Sequence, residues 1–114
     1  MKVLMLRHSA GFEHSYLPDA EVAFKQIGAQ QDWNVETTHD VKRLTPEKLA
    51  DLDLLVFATT GNLPLADDQK NNIISFVKNG KAFMGVHNAT DTGYDWPEYG
   101  KMIGGFFNGH PWHQ

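Results

Sequence analysis

The sequence predicts an α/β domain built on a parallel β-sheet, and three observations predict it. Apolar runs at residues 3–6 and 53–58 are nearly unbroken, which marks strands covered on both faces rather than half-exposed ones. Between such runs lie segments whose apolar residues recur at helical spacing. Strands that alternate with helices imply right-handed crossovers, and therefore a parallel sheet. A chain of 114 residues fits one domain, 1–114, with a single core.

Each element has its own local signal. Residues 3–6 are the first strand, and the small and polar residues from His8 to Ser15 read as the loop after it. Pro18 and Asp19 open a helix through about Gln30, whose apolar stripe is Ala20, Ala23, Phe24 and Ile27. Residues 33–38, with Val35, Thr37 and Thr38, alternate imperfectly and suit a more exposed strand at a sheet edge. Thr45 caps a short helix with Pro46 in its first turn. Residues 53–58 form the clearest buried strand, ending in Thr59-Thr60-Gly61-Asn62. A helix follows from Asp67 or Asp68, turns Ile73, Ile74 and Val77 inward with Phe76 nearby, and stops at Asn79-Gly80. Residues 81–86 are a short buried strand, and Pro97 starts a last helix through about Ile103, ended by Gly104-Gly105. The expected architecture is a flavodoxin-like sheet in order 2-1-3-4 with helices on both faces.

Composition narrows the function. Apolar residues make up 41% and charged residues 21%, as in a folded globular protein. A formal charge of −4 with scattered acidic residues offers no basic patch, which argues against nucleic acid as a partner. The chain has no cysteine, so disulfides, thiolate metal sites and a cysteine nucleophile are all excluded. The first residues are too short an apolar run for a signal peptide, and no stretch approaches the roughly 20 apolar residues that span a bilayer. No membrane partner is expected, and the cytoplasm is the default compartment.

In an open parallel sheet, ligands bind beyond the carboxyl ends of the strands. That rule singles out His8 after the first strand, Thr59 and Thr60 after the third, and His87, Asn88, Thr90 and Asp91 after the fourth. His87 occupies the turn where related folds present a nucleophile, and imidazole there can act as general base, hydrogen-bond donor or metal ligand. The competing reading is that His87 only hydrogen-bonds its own turn. Asp91, four residues on, can orient His87 or join it on a metal; otherwise it accepts backbone donors from Thr92 and Gly93. His110 and His113, around Pro111, are further candidate ligands for a divalent metal shared with His87, although nothing in the chain fixes their distance and His113 adjoins the last residue.

His8 and His14 flank a Ser-Ala-Gly-Phe segment suited to closing over a small polar ligand. Thr59-Thr60-Gly61-Asn62 supplies hydroxyl and amide groups for sugar hydroxyls or a phosphate, but lacks the lysine and second glycine of a P-loop. Tyr94, Trp96 and Trp112 can stack on a sugar ring, although aromatic residues in a small domain more often pack into the core. His39 follows an edge strand and reads as solvated.

Taken together these segments resemble the ThuA-like, or trehalose-utilisation, family. The resemblance rests on Ala10-Gly11-Phe12-Glu13-His14-Ser15 with Pro18, on Thr59-Thr60-Gly61, on Gly85-Val86-His87-Asn88-Ala89-Thr90-Asp91-Thr92 followed by Tyr94-Asp95-Trp96-Pro97, and on Gly109-His110-Pro111. It covers nearly the whole chain and implies a fold like that of class I glutamine amidotransferases. It further implies a role in carbohydrate metabolism, linked to disaccharide and keto-sugar use, and pocket roles for His8, His14, His87, Asp91 and His110. Family domains are typically longer than this chain, which leads to the expectation of an uncovered edge and apolar surface around Phe83, Phe106 and Phe107, shielded in a homodimer.

Two functions compete at this stage. One is an enzyme, of hydrolase or lyase type, acting on a sugar or disaccharide-derived substrate. In it His87 and Asp91 are catalytic, His8, His14, Thr60, Asn88, Tyr94 and His110 bind substrate, and His87 and His110 are the candidate metal ligands. The other is a non-catalytic sugar-binding or interaction module that keeps the crevice. Amidotransferase chemistry requires the cysteine that the chain lacks.

Overall fold

The computed structural model describes residues 1–9, 17–86, 89 and 92–103. Four strands, β1 (Lys2–Ser9), β2 (Asn34–Thr38), β3 (Leu54–Thr60) and β4 (Ala82–Gly85), form a parallel sheet in the order β2-β1-β3-β4. The helices are α1 (Leu17–Gln31), α2 (Pro46–Asp51), α3 (Asp67–Lys78) and α4 (Pro97–Ile103). This is the expected order, with helices on both faces.

Strand alternation divides the core in two. Leu4 and Leu6 of β1 and Leu55 and Phe57 of β3 face Leu49 of α2, Ile73 and Phe76 of α3, and Tyr99 of α4. Val3, Met5, Leu54, Val56 and Ala58 face Ala20 and Phe24 of α1. Every residue of β3 is buried, because β3 is flanked by strands on both sides and roofed on both faces.

Helix boundaries follow the local signals. The Thr45 hydroxyl accepts from Lys48 N–H at 3.1 Å, with Pro46 at the first position of α2. Before α3, Gln69 Oε1 accepts from Ala66 N–H at 3.0 Å, while Gln69 Nε2 donates to the Val41 carbonyl at 2.8 Å, tying the helix start to a 3-10 turn at Val41–Arg43. Gly80, at φ +90°, ends α3 in the left-handed conformation that an L side chain resists.

Four expectations change. The first strand continues past Leu6 through Ser9, because pairing with β3 persists through Arg7↔Ala58, His8↔Thr59 and Ser9↔Thr60; long-range backbone pairing overrides the polar sequence. The fourth strand is not buried. Among the described residues β4 is an outer strand, and Ala82, Met84 and Gly85 are exposed. Phe83 is half-buried and packs edge-on against Phe57 at 5.0 Å, so the open apolar side chain of this strand is Met84 instead. In α1 only Ala20 and Phe24 of the expected stripe reach the core, while Ala23 and Ile27 face outward. Among the described residues one helix, α1, covers that face, so its stripe meets the sheet along a narrow line.

At the β2 edge, Glu36 pairs with Arg43 at 2.9 Å and Lys48 at 3.0 Å. The hydrogen bond from Lys48, helped by the charges of Lys48 and Arg43 and opposed by slight burial, lowers the Glu36 carboxyl below its ordinary value of 4.5. A carboxylate lowered on folding stabilises the protein above its unfolded value and loses that contribution as pH falls through the folded one. The stability difference between wild type and Glu36→Gln should therefore be constant near neutrality and shrink below pH 4.5, as read by urea denaturation across pH. The effect is small because the group is solvent-screened. Among the described residues no helix is long and apolar enough to cross a membrane.

Candidate functional site

The continuation of β1 brings His8 level with Thr59, its register partner on β3. Both lie on the face of the larger core cluster, His8 following Leu4 and Leu6, Thr59 following Leu55 and Phe57. His8 is half-buried, and its Nδ1 is fully buried without a hydrogen-bond partner among the described residues. Such an unsatisfied group costs about 1–3 kcal/mol, so it marks a place where stability has been given up.

A polar cluster surrounds this end of the sheet. The hydroxyls of Thr59 and Thr92, both buried, are 2.8 Å apart. Gly61 forms a parallel bridge with Thr92, and Gly93 N–H donates to the Gly61 carbonyl at 3.0 Å. Asp95 N–H reaches Asn62 Oδ1 at 3.2 Å. On the other side, Val86 N–H donates to the Phe57 carbonyl at 2.9 Å, and Ala89 N–H to the Val86 carbonyl at 3.1 Å. The Tyr99 hydroxyl donates to the Ala89 carbonyl at 2.7 Å. Burial pushes the Tyr99 phenol well above its ordinary value, against an opposing hydrogen bond from Thr59, so it stays protonated and serves as a donor.

The expected residues divide into three sets. His8 and Thr59 are brought together. Thr60 is buried at 1% exposure, and alternation places it on the opposite face, so it does not share the wall that His8 and Thr59 form. Tyr94 lies on the surface at 43% exposure. Trp96 takes the core alternative: it is 4% exposed and stacks on Tyr99 at 5.1 Å. His14, His87, Asn88, Thr90, Asp91, His110, Trp112 and His113 lie outside the described residues. Among the described residues no three His, Asp or Glu side chains converge as a metal site, and the pair of ligands expected at His87 and His110 falls outside them.

Two features escaped the sequence reading. Tyr99 sits in a short helix with no pattern to single it out, and only its contact with Ala89 gives it meaning. Arg7, on the α1 face, bonds Glu21 Oε1 at 3.2 Å and lies 3.4 Å from His39 Nε2. His39 itself is 65% exposed, as expected of a residue after an outer strand. The described side chains on the His8 face are two threonine hydroxyls, a phenol and an imidazole. Such a set offers donors and acceptors to a neutral polyol more readily than it neutralises an anion.

Fold and site together define a flavodoxin-like α/β domain with its polar groups gathered at the carboxyl ends of the central strands. The sequence profile described as "ThuA: Trehalose utilisation" matches residues 2–114, and the chain belongs to that family. Its fold is similar to that of a ThuA-like protein from Bacteroides uniformis ATCC 8492 seen by crystallography, with a TM-score of 0.76, 21% sequence identity, and coverage of 98% of this chain and 47% of that one. This chain therefore spans about half the length of that relative. No curated protein matches it.

Proposed function

We propose that the domain is a sugar-processing enzyme acting on a disaccharide or disaccharide-derived substrate at the carboxyl ends of β1, β3 and β4. The observation that carries this reading is the buried Nδ1 of His8, without a hydrogen-bond partner among the described residues, level with the Thr59–Thr92 hydroxyl pair. A sugar hydroxyl satisfies such a nitrogen in either tautomer, because it both donates and accepts. Membership of a family described by trehalose utilisation supports the substrate class.

In this reading His8 and Asn88 position substrate hydroxyls. His87 transfers the proton, and Asp91 orients its imidazole. His14, Tyr94 and His110 complete the substrate contacts, and His87 with His110 would hold a divalent metal if one takes part.

His8→Leu and His87→Ala provide the test, with trehalose and a keto-disaccharide as probes in calorimetry and turnover assays. His8→Leu should leave the fold intact and raise stability by about 1 kcal/mol, since it removes an unsatisfied polar atom, while weakening binding. His87→Ala should abolish turnover. The reading fails if both variants bind and convert the probes as wild type does. Binding that survives without turnover in any form would favour the non-catalytic sugar-binding module.

A further inference from the structure

We propose that His8 is a specificity-determining hydrogen-bond donor, held in the one neutral tautomer that keeps its proton on Nε2 and a lone pair on the buried Nδ1. This rests on the site reading above, yet the tautomer itself can be read without any substrate.

A neutral imidazole has one proton and two places for it. In His8 those places differ. Nδ1 is fully enclosed and has no hydrogen-bond partner among the described residues. The residue as a whole is only half-buried, so the accessible part of the ring is the side away from Nδ1, which bears Nε2. On that side either tautomer is satisfied, because water and ligand hydroxyls both donate and accept. The enclosed side therefore decides. Thr59, the register partner of His8, has its hydroxyl 2.8 Å from that of Thr92, and it makes no bond to Nδ1. A proton on Nδ1 would be a buried N–H facing no acceptor, which folded proteins avoid more strictly than a buried lone pair facing no donor. The proton belongs on Nε2.

A fixed tautomer gives the site a polarity. Nε2–H can only donate, so it selects a ligand oxygen that accepts, as the glycosidic and carbonyl oxygens of the proposed substrates do. A hydroxyl that reaches Nδ1 has to arrive there as the donor. A histidine free to exchange tautomers would answer both polarities at both nitrogens and discriminate little. The Thr59–Thr92 pair has no fixed polarity of its own, because either hydroxyl can be the donor. His8 supplies the direction that the pair lacks.

The experiment is long-range proton–nitrogen NMR of the imidazole rings in nitrogen-labelled, ligand-free wild type at alkaline pH, with the His8 signals assigned through its own Cβ. A ring nitrogen that bears a proton and one that bears a lone pair resonate far apart. The expected spectrum has the proton on Nε2 and the lone pair on Nδ1. Calorimetry with a keto-disaccharide then compares wild type with His8→Leu, His8→Asn and His8→Gln. A glutamine amide reaches about as far as Nε2, whereas an asparagine amide reaches only to Nδ1. Binding should fall about 10-fold in His8→Leu and His8→Asn, the worth of one hydrogen bond, and less in His8→Gln. A proton found on Nδ1, or shared evenly between the nitrogens, overturns the proposal. So does a loss in His8→Gln equal to that in His8→Asn. The expected tautomer in a protein that does not bind the probe upholds the fixed donor and counts against the sugar reading instead. Should a variant fail to fold, the wild-type spectrum decides alone.

Discussion

Replacing Phe57 by alanine is expected to destabilise the domain by about 3–5 kcal/mol, the range for removing a large aromatic from a closed core. Phe57 is 0% exposed, lies at the centre of β3, and meets Phe83 and Tyr99 with centroids 5.0 and 5.8 Å away. No neighbour can collapse into the space cheaply, because β3 is held between β1 and β4 and roofed by helices. Against a total of about 5–15 kcal/mol for a small domain, such a loss brings the variant close to its unfolding threshold. Urea titration should show a much lower midpoint at an unchanged slope. A cost below about 1 kcal/mol would mean that this aromatic cluster is not the packed centre described here. Half-buried Phe83, at the sheet's outer strand, should lose less on the same substitution.

The second large effect concerns backbone conformation at two glycines. Gly93 has φ +64° and Gly80 φ +90°, so alanine at either position carries the left-handed penalty of about 1–2 kcal/mol. Their surroundings differ. A Cβ on Gly80 meets nothing within 4 Å, whereas one on Gly93 comes within 3.1 Å of Tyr99 Cδ2. Gly80→Ala should therefore show the backbone cost alone. Gly93→Ala should lose roughly 1 kcal/mol or more beyond it, from crowding a packed ring. It should also disturb the Tyr99–Ala89 hydrogen bond, and with it the candidate site. Equal destabilisation of the two variants would show that the Gly93–Tyr99 contact yields without cost.

How much of this was legible in the sequence differs by element. The buried third strand and the Thr45 and Asn79-Gly80 helix boundaries were readable because each depends on a few adjacent residues. The extension of β1 through Ser9 was not. His8 and Ser9 are unremarkable as strand residues, and they become one only because Thr59 and Thr60 lie alongside. The same holds for β4, whose apolar composition suggested burial although its place at the sheet's outer side leaves Met84 exposed.

For the candidate site, position was legible and contact was not. The rule that ligands bind beyond strand carboxyl ends pointed to His8, Thr59 and His87 from the chain alone. It could not show that His8 has a buried nitrogen without a partner among the described residues, or that Thr60 turns to the opposite face. The sequence by itself determined the class of fold, pointed to the flavodoxin-like strand order, and showed a chain without cysteine and its family resemblance. Tertiary structure alone decided where the strands end, which face each threonine takes, and that Tyr99 reaches back to Ala89. The division has a physical cause: caps, turns and periodicity are interactions among near neighbours, whereas Thr59 and Thr92 stand 33 positions apart and meet only when the sheet has formed.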